Sequence, residues 1–154
     1  MSWRPSFRMG LPQGQLNHRM ELRINNKMEE MPAVVTMVES FGTKHGISDG
    51  VINEINLALD EILNNIISYG YPQGEVGEIT VRLRYRREQV MAEIHDNGIP
   101  FDPLQAAPPD LAATVEKRKV GGLGIAFVRE LMDAVAYSRV ADENRLLLTK
   151  KLPI

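Results

Sequence analysis

Between Ile79 and Asp96 apolar and polar residues alternate almost without a break, a period of two that only half-buried strands satisfy. Ile79, Val81, Leu83 and Tyr85 oppose Thr80, Arg82, Arg84 and Arg86; beyond Arg87-Glu88, Val90, Ala92 and Ile94 oppose Met91, Glu93 and His95. The spacing predicts an antiparallel hairpin turning at Arg87-Glu88. Carried forward, the inward parity reaches Asp96. A carboxylate is thereby aimed at the core layer, where it needs a hydrogen-bonding partner.

The rest of the chain must cover that hairpin. Met20, Leu22 and Ile24 alternate with Glu21, Arg23 and Asn25 as a short strand, whereas residues 1–19 show no period and read as a flexible N-terminal extension to a domain spanning 20–154. A helix is expected from about Glu29 to Lys44, with Pro32 in its first turn, Val34, Val38 and Phe41 on one stripe, and Gly46 as its stop. Ser48 is a good N-cap for a longer helix over Asp49 to Tyr69. Its apolar face holds Ile55, Leu59, Ile62, Leu63, Ile66 and Ile67; Glu54, Ala58, Glu61, Asn65 and Ser68 run along the edge, and Asn64 points away. Tyr71-Pro72-Gln73-Gly74 is a turn.

Prolines 103, 108 and 109 mark a flexible loop, after which Gly121-Gly122-Leu123-Gly124 opens a helix to about Met132. Two strands, near Val135 to Val140 and Leu146 to Leu152, close the domain, turning at Asp142-Glu143-Asn144. This order predicts a two-layer α/β sandwich, a mixed and mostly antiparallel sheet with helices on one face. The other face would carry Arg82, Arg84 and Glu93 as a solvated surface, with a homodimer interface as the alternative.

Composition narrows the function classes. A chain of 154 residues, 44% hydrophobic and 25% charged, suits one soluble domain, and no apolar run is long enough for a membrane span. Eighteen basic against twenty acidic side chains, net −2, give no field that would gather nucleic acid. The absence of cysteine removes disulfides, thiolate metal sites and thiol nucleophiles. Without a signal-peptide pattern the expected compartment is the cytoplasm. His18, His45 and His95 read as surface residues in the extension, at a helix end and on the outward side of a strand.

Three short motifs carry chemistry. Glu61 and Asn65, four apart on one helix face, place a general base one turn from an amide oxygen suited to magnesium; a solvated pair is the plain alternative. Asp96-Asn97-Gly98 ends an inward-facing strand, so the carboxylate can accept from an exocyclic amine such as adenine's and Gly98 lets a flat ring approach the backbone; alone, it is also an ordinary Asn-Gly turn. The glycines at 121, 122 and 124 before a helix can close backbone N–H groups around phosphate. They lack the Lys-Ser/Thr of a P-loop and the preceding strand of a dinucleotide fingerprint.

In this order and at these separations, LALDEILNNIISYGYP, HDNGIPFDP and KVGGLGIAFVRELMDAV resemble the N, G1 and G2 boxes of the Bergerat-type ATP-binding fold of histidine kinases, gyrase-type ATPases and one chaperone class. Within that superfamily they look like the anti-sigma regulatory factors with serine/threonine kinase activity. The resemblance implies Glu61 as general base, Asn65 holding magnesium, and Asp96 binding adenine with Gly98 lining the ring pocket. It implies Gly122, Leu123 and Gly124 around the phosphates, Pro103 to Val120 as an ATP lid, and Arg118 or Lys119 reaching the phosphates. Tyr69 stands where the family often has histidine. The implied partners are an anti-sigma factor antagonist as phosphoacceptor and a sigma factor. A module that binds nucleotide and sequesters a partner without kinase activity is the rival. A histidine kinase is not expected, because too little chain precedes Met20 for a phosphoacceptor hairpin.

Overall fold

Four antiparallel pairings assemble one five-stranded sheet in the order β1-β2-β3-β5-β4. The structure, a computed structural model, describes residues 18–105 and 123–153. The strands are β1 (Arg19–Asn25), β2 (Glu78–Arg86), β3 (Gln89–Asp96), β4 (Ala134–Val140) and β5 (Glu143–Lys151). The helices are α1 (Met31–His45), α2 (Asp49–Tyr69) and α3 (Leu123–Leu131). Three-residue 3-10 turns at Met28–Glu30 and Pro103–Gln105 precede α1 and follow β3.

Period decides each element. Ile79, Val81 and Leu83 of β2 and Val90, Ala92 and Ile94 of β3 are essentially inaccessible, as are Ile55, Leu59 and Leu63 of α2 and Phe41 of α1. One apolar layer thus lies between the sheet and the helices, the expected two-layer arrangement. Ser48 caps α2 by accepting from Val51 N at 3.3 Å, and Gly46 ends α1 at φ 64°. Lys150 fastens the helices to the sheet, donating to Glu54 of α2 at 3.1 Å and to the last-turn carbonyl of Leu131 in α3 at 2.6 Å; a cation at a helix C-terminus also suits the dipole.

Several expectations are corrected. Helix α1 starts at Met31 because Met28–Glu30 are wound as a 3-10 turn. The last hairpin turns at Ala141 and Asp142, both at positive φ (48° and 67°), not at Asp142-Glu143-Asn144. Glu143 and Asn144 therefore belong to β5 and pair with Val140 and Arg139. The first hairpin turns at Arg87 and Glu88 as expected, also with positive φ, the geometry that matches strand twist.

The outer face of the sheet is an ion-pair lattice more than a row of solvated charges. Glu93 accepts from both Arg82 and Arg84, with His95 Nε2 at 3.2 Å, and Arg82 also meets Glu21 at 2.6 Å. His95 is half-buried there. His18 and His45 are also packed: the His45 ring stacks on Tyr85 with centroids 5.0 Å apart, and His18 Nδ1 lies 2.9 Å from the Tyr85 carbonyl. His18 and Arg19, assigned to the extension, join the sheet edge; residues 1–17 are outside the described residues.

Candidate active site

A cleft with an empty volume of about 470 Å³, counted to its open mouth, lies between the C-terminal half of α2 and the ends of β3, β4 and β5. Asn65 and Ile66 of α2, Asp96 of β3, Ile99 and Phe101 beyond it, Tyr137 of β4 and Asn144 of β5 line it. It is mostly apolar with a few convergent polar groups, the make-up of a small-molecule site.

Asp96 is its floor. The parity that aims Asp96 inward leaves it 4% exposed, and both hydrogen bonds it accepts fall on Oδ1, from Gly98 N at 2.9 Å and from Asn144 Nδ2 at 3.0 Å. Burial pushes its carboxyl pKa up; the Asn144 bond, the Gly98 N–H and the Arg139 charge oppose the rise without cancelling it. Among the described residues Oδ2 accepts no hydrogen bond, which leaves it open to a donor entering the cleft.

Gly98 is held by the protein itself. A Cβ there would fall 2.3 Å from the Gly70 carbonyl oxygen, and that oxygen accepts from Ile99 N at 2.8 Å. The missing side chain lets the strand-end turn dock on the C-terminus of α2, a different reason from access for a flat ring. Tyr71 braces the same turn, donating to Asn97 Oδ1 at 2.8 Å. Burial first, and the Asp96 charge second, push its hydroxyl pKa up to about 12, so it remains a donor.

The start of α3 lies against the edge stripe of α2. A Cβ on Gly124 would stand 2.8 Å from Glu61 Oε2 and 3.4 Å from Asn65 Nδ2. Glu61, Asn65 and Gly124 therefore meet at one point. Asn65 also lines the cleft that Asp96 floors. Asn64 turns away and bonds the Asp60 carbonyl at 2.8 Å, as its position on the wheel predicts. Leu123 is the first residue of α3, whereas Lys119 and Gly122, with the lid segment 106–120, lie outside the described residues. Tyr69 is half-exposed at the cleft wall.

Sequence reasoning missed Asn144. The amide is 6% exposed and bonded on both sides: Nδ2 donates to Asp96 and, at 2.8 Å, to the Ile99 carbonyl; Oδ1 accepts from Phe101 N at 3.2 Å and Tyr137 hydroxyl at 2.6 Å. The inward parity of Leu146 and Leu148, extended back by two, points to it. Arg139, also missed, donates to the Gly98 carbonyl at 2.9 Å.

The side-chain oxygen of Asn65 is of the kind a magnesium ion accepts as a ligand. Among the described residues no three His, Asp or Glu side chains converge, and magnesium needs only one or two protein oxygens, completing its shell with phosphate and water.

Comparison with known proteins agrees with this fold. Residues 24–150 match the histidine kinase-like ATPase domain family. The serine/threonine-protein kinase BtrW of Bordetella bronchiseptica is 39% identical over 95 residues, 62% of this chain and 67% of the relative. The serine-protein kinase RsbW of Listeria monocytogenes is 25% identical over 124 residues, 78% of this chain and 79% of the relative. The solved RsbU and RsbW domains of Rv1364c from Mycobacterium tuberculosis align with a TM-score of 0.63 at 17% identity. That match covers 87% of this chain and 32% of the longer one, and speaks for the fold alone. With two-layer architecture, cleft and motif order in agreement, the chain belongs to the histidine kinase-like ATPase domain family, in its branch of anti-sigma serine/threonine-protein kinases.

Proposed function

We propose that the cleft holds ATP, with adenine against Asp96 and the phosphates at the head of α3, and that Glu61 is the general base for transfer to a serine of an anti-sigma factor antagonist. One observation carries the assignment: Gly124 brings the start of α3 against both Glu61 and Asn65, and Asn65 shares its cleft with Asp96. A base, an oxygen ligand and a helix N-terminus thus stand together at one end, with a buried carboxylate at the other. Helix N-termini favour phosphate.

The chemistry is phosphoryl transfer by positioning. The acceptor serine gives its proton to Glu61 as its oxygen bonds to the γ-phosphorus, and the bond from that phosphorus to the bridging oxygen breaks to release ADP. Asn65 would hold magnesium, which when bound supplies neutralisation of the β- and γ-phosphate charge. Gly122, Leu123 and Gly124 are assigned to the phosphates, Lys119 to their outer side, Gly98 to the wall of the ring pocket, and 103–120 to the lid. Phosphorylating the antagonist changes which partner the kinase holds, and so sets the availability of a sigma factor in the cytoplasm.

Glu61→Gln tests the assignment. Calorimetric titration with ATP and ADP, with and without magnesium, is expected to give affinities within about threefold of the unsubstituted protein, while transfer of labelled γ-phosphate to an antagonist falls by about 100-fold or more. Full transfer by the variant would sink the general-base role. A folded protein that binds neither nucleotide would remove the pocket assignment.

A further inference from the structure

Asn144 and Asp96 face each other directly across β3 and β5. We propose that Asn144 is a positioning residue for nucleotide discrimination: together with Gly98 N it occupies Oδ1 of Asp96, leaving Oδ2, which accepts no bond among the described residues, as the acceptor offered to the ligand, so that the cleft selects a purine with a 6-amino donor over one with a 6-oxo group. The inference deepens the adenine-pocket assignment and rests on it.

The geometry supports a fixed orientation. Asn144 cannot rotate freely, because Tyr137 hydroxyl and Phe101 N fix its oxygen while Asp96 and the Ile99 carbonyl fix its nitrogen. Its amide is thus locked with the donor toward the carboxylate. The same bonds hold Ile99 and Phe101, two apolar walls of the cleft. A 6-oxo purine would present its oxygen to a carboxylate oxygen, two acceptors with no proton between them. A site built to receive a donor rejects the analogue lacking it, because its buried acceptor is left unpaired.

Asn144 also acts on the proton. Burial raises the Asp96 pKa, and among the groups that oppose this the Asn144 amide ranks first, ahead of Gly98 N–H and Arg139. Among the described residues, the charged and titratable groups around the carboxylate and its Asn144 partner include Arg139 and Tyr137 from β4, Glu143 from β5, and Tyr71 from the turn after α2. Replacing the Asn144 donor by an acceptor removes the leading opposition and adds a like charge, so the pair shares a proton. A protonated Asp96 can donate to a 6-oxo group.

Asn144→Asp is isosteric and keeps the acceptor for Tyr137 and Phe101. The experiment measures ATP and inosine triphosphate binding by the full chain, unsubstituted and Asn144→Asp, from about pH 5.5 to 8.5. The unsubstituted protein is expected to prefer ATP by about tenfold or more. In the variant that ratio should shrink by about tenfold, with inosine triphosphate binding tighter as pH falls. An unchanged ratio overturns the proposal, and so does an equal loss of both ligands, which marks a merely structural residue. If Asn144→Asp does not fold, Asn144→Ala is read by the same two criteria. Failure of the underlying assignment looks different: the unsubstituted protein itself then shows no preference for ATP.

Discussion

At the scale of single residues, Asp96 is a buried carboxylate whose charge costs the empty fold. A carboxylate whose folded pKa exceeds its unfolded value favours folding below the unfolded pKa, and that contribution is lost as pH rises through the folded pKa. Asp96 is shifted in this direction, chiefly by burial. Neutral pH is therefore where it costs the empty protein most. Asp96→Asn retains an oxygen for Gly98 N and Asn144, so its urea midpoint should exceed that of the unsubstituted protein at pH 7, the gap narrowing toward about pH 4. ATP affinity should fall by about tenfold or more in the same variant. An equal or lower midpoint at pH 7 would contradict the cost assigned to the carboxylate. The inward aim of Asp96 was legible from parity alone. Its partner was not, because Asp142-Glu143-Asn144 has turn composition and the true turn falls one residue earlier.

Among the elements, those with long unbroken periods were legible and those decided by contact were not. Helix α2 and the β2–β3 hairpin match the expected spans, since 21 residues of helical spacing and two runs of strict alternation admit few alternatives. The docking of Gly98 on the Gly70 carbonyl and of Gly124 on Glu61 could not be read from spacing, because each joins segments distant in the chain. Nor could the packing of His45 on Tyr85. The hairpin turn itself carries a local conflict: Arg87 and Glu88 hold φ of 53° and 59°, a region that favours Asn and Gly. Replacing the pair by Asn-Gly should stabilise the fold by about 1 kcal/mol. Thermal melting checks this, and an unchanged or lower midpoint would show that the present side chains compensate for the turn.

For the molecule as a whole, the fold class was legible because a sheet with one apolar face must be covered by amphipathic helices, and α1, α2 and α3 supply the covering layer. The lattice around Glu93 was not, since charges on an outward face look solvated until the neighbouring strands are placed. The strand order β1-β2-β3-β5-β4 has a further consequence for handling the protein. Among the described residues its two outermost strands are unequally protected. Along β1, Arg19, Glu21 and Arg23 project from the outer face, whereas β4 presents Ala134, Ala136, Ser138 and Val140 there, and its Arg139 is engaged with the Gly98 carbonyl. Exposed strand rims lacking charge recruit other chains by adding strands. Concentrated preparations should therefore aggregate through β4. Ala136→Lys is expected to slow the growth of light scattering on storage without changing ATP affinity, and equal growth in both proteins would place the sticky surface elsewhere. The rim beside the cleft is then also the seam along which this protein should be lost from solution.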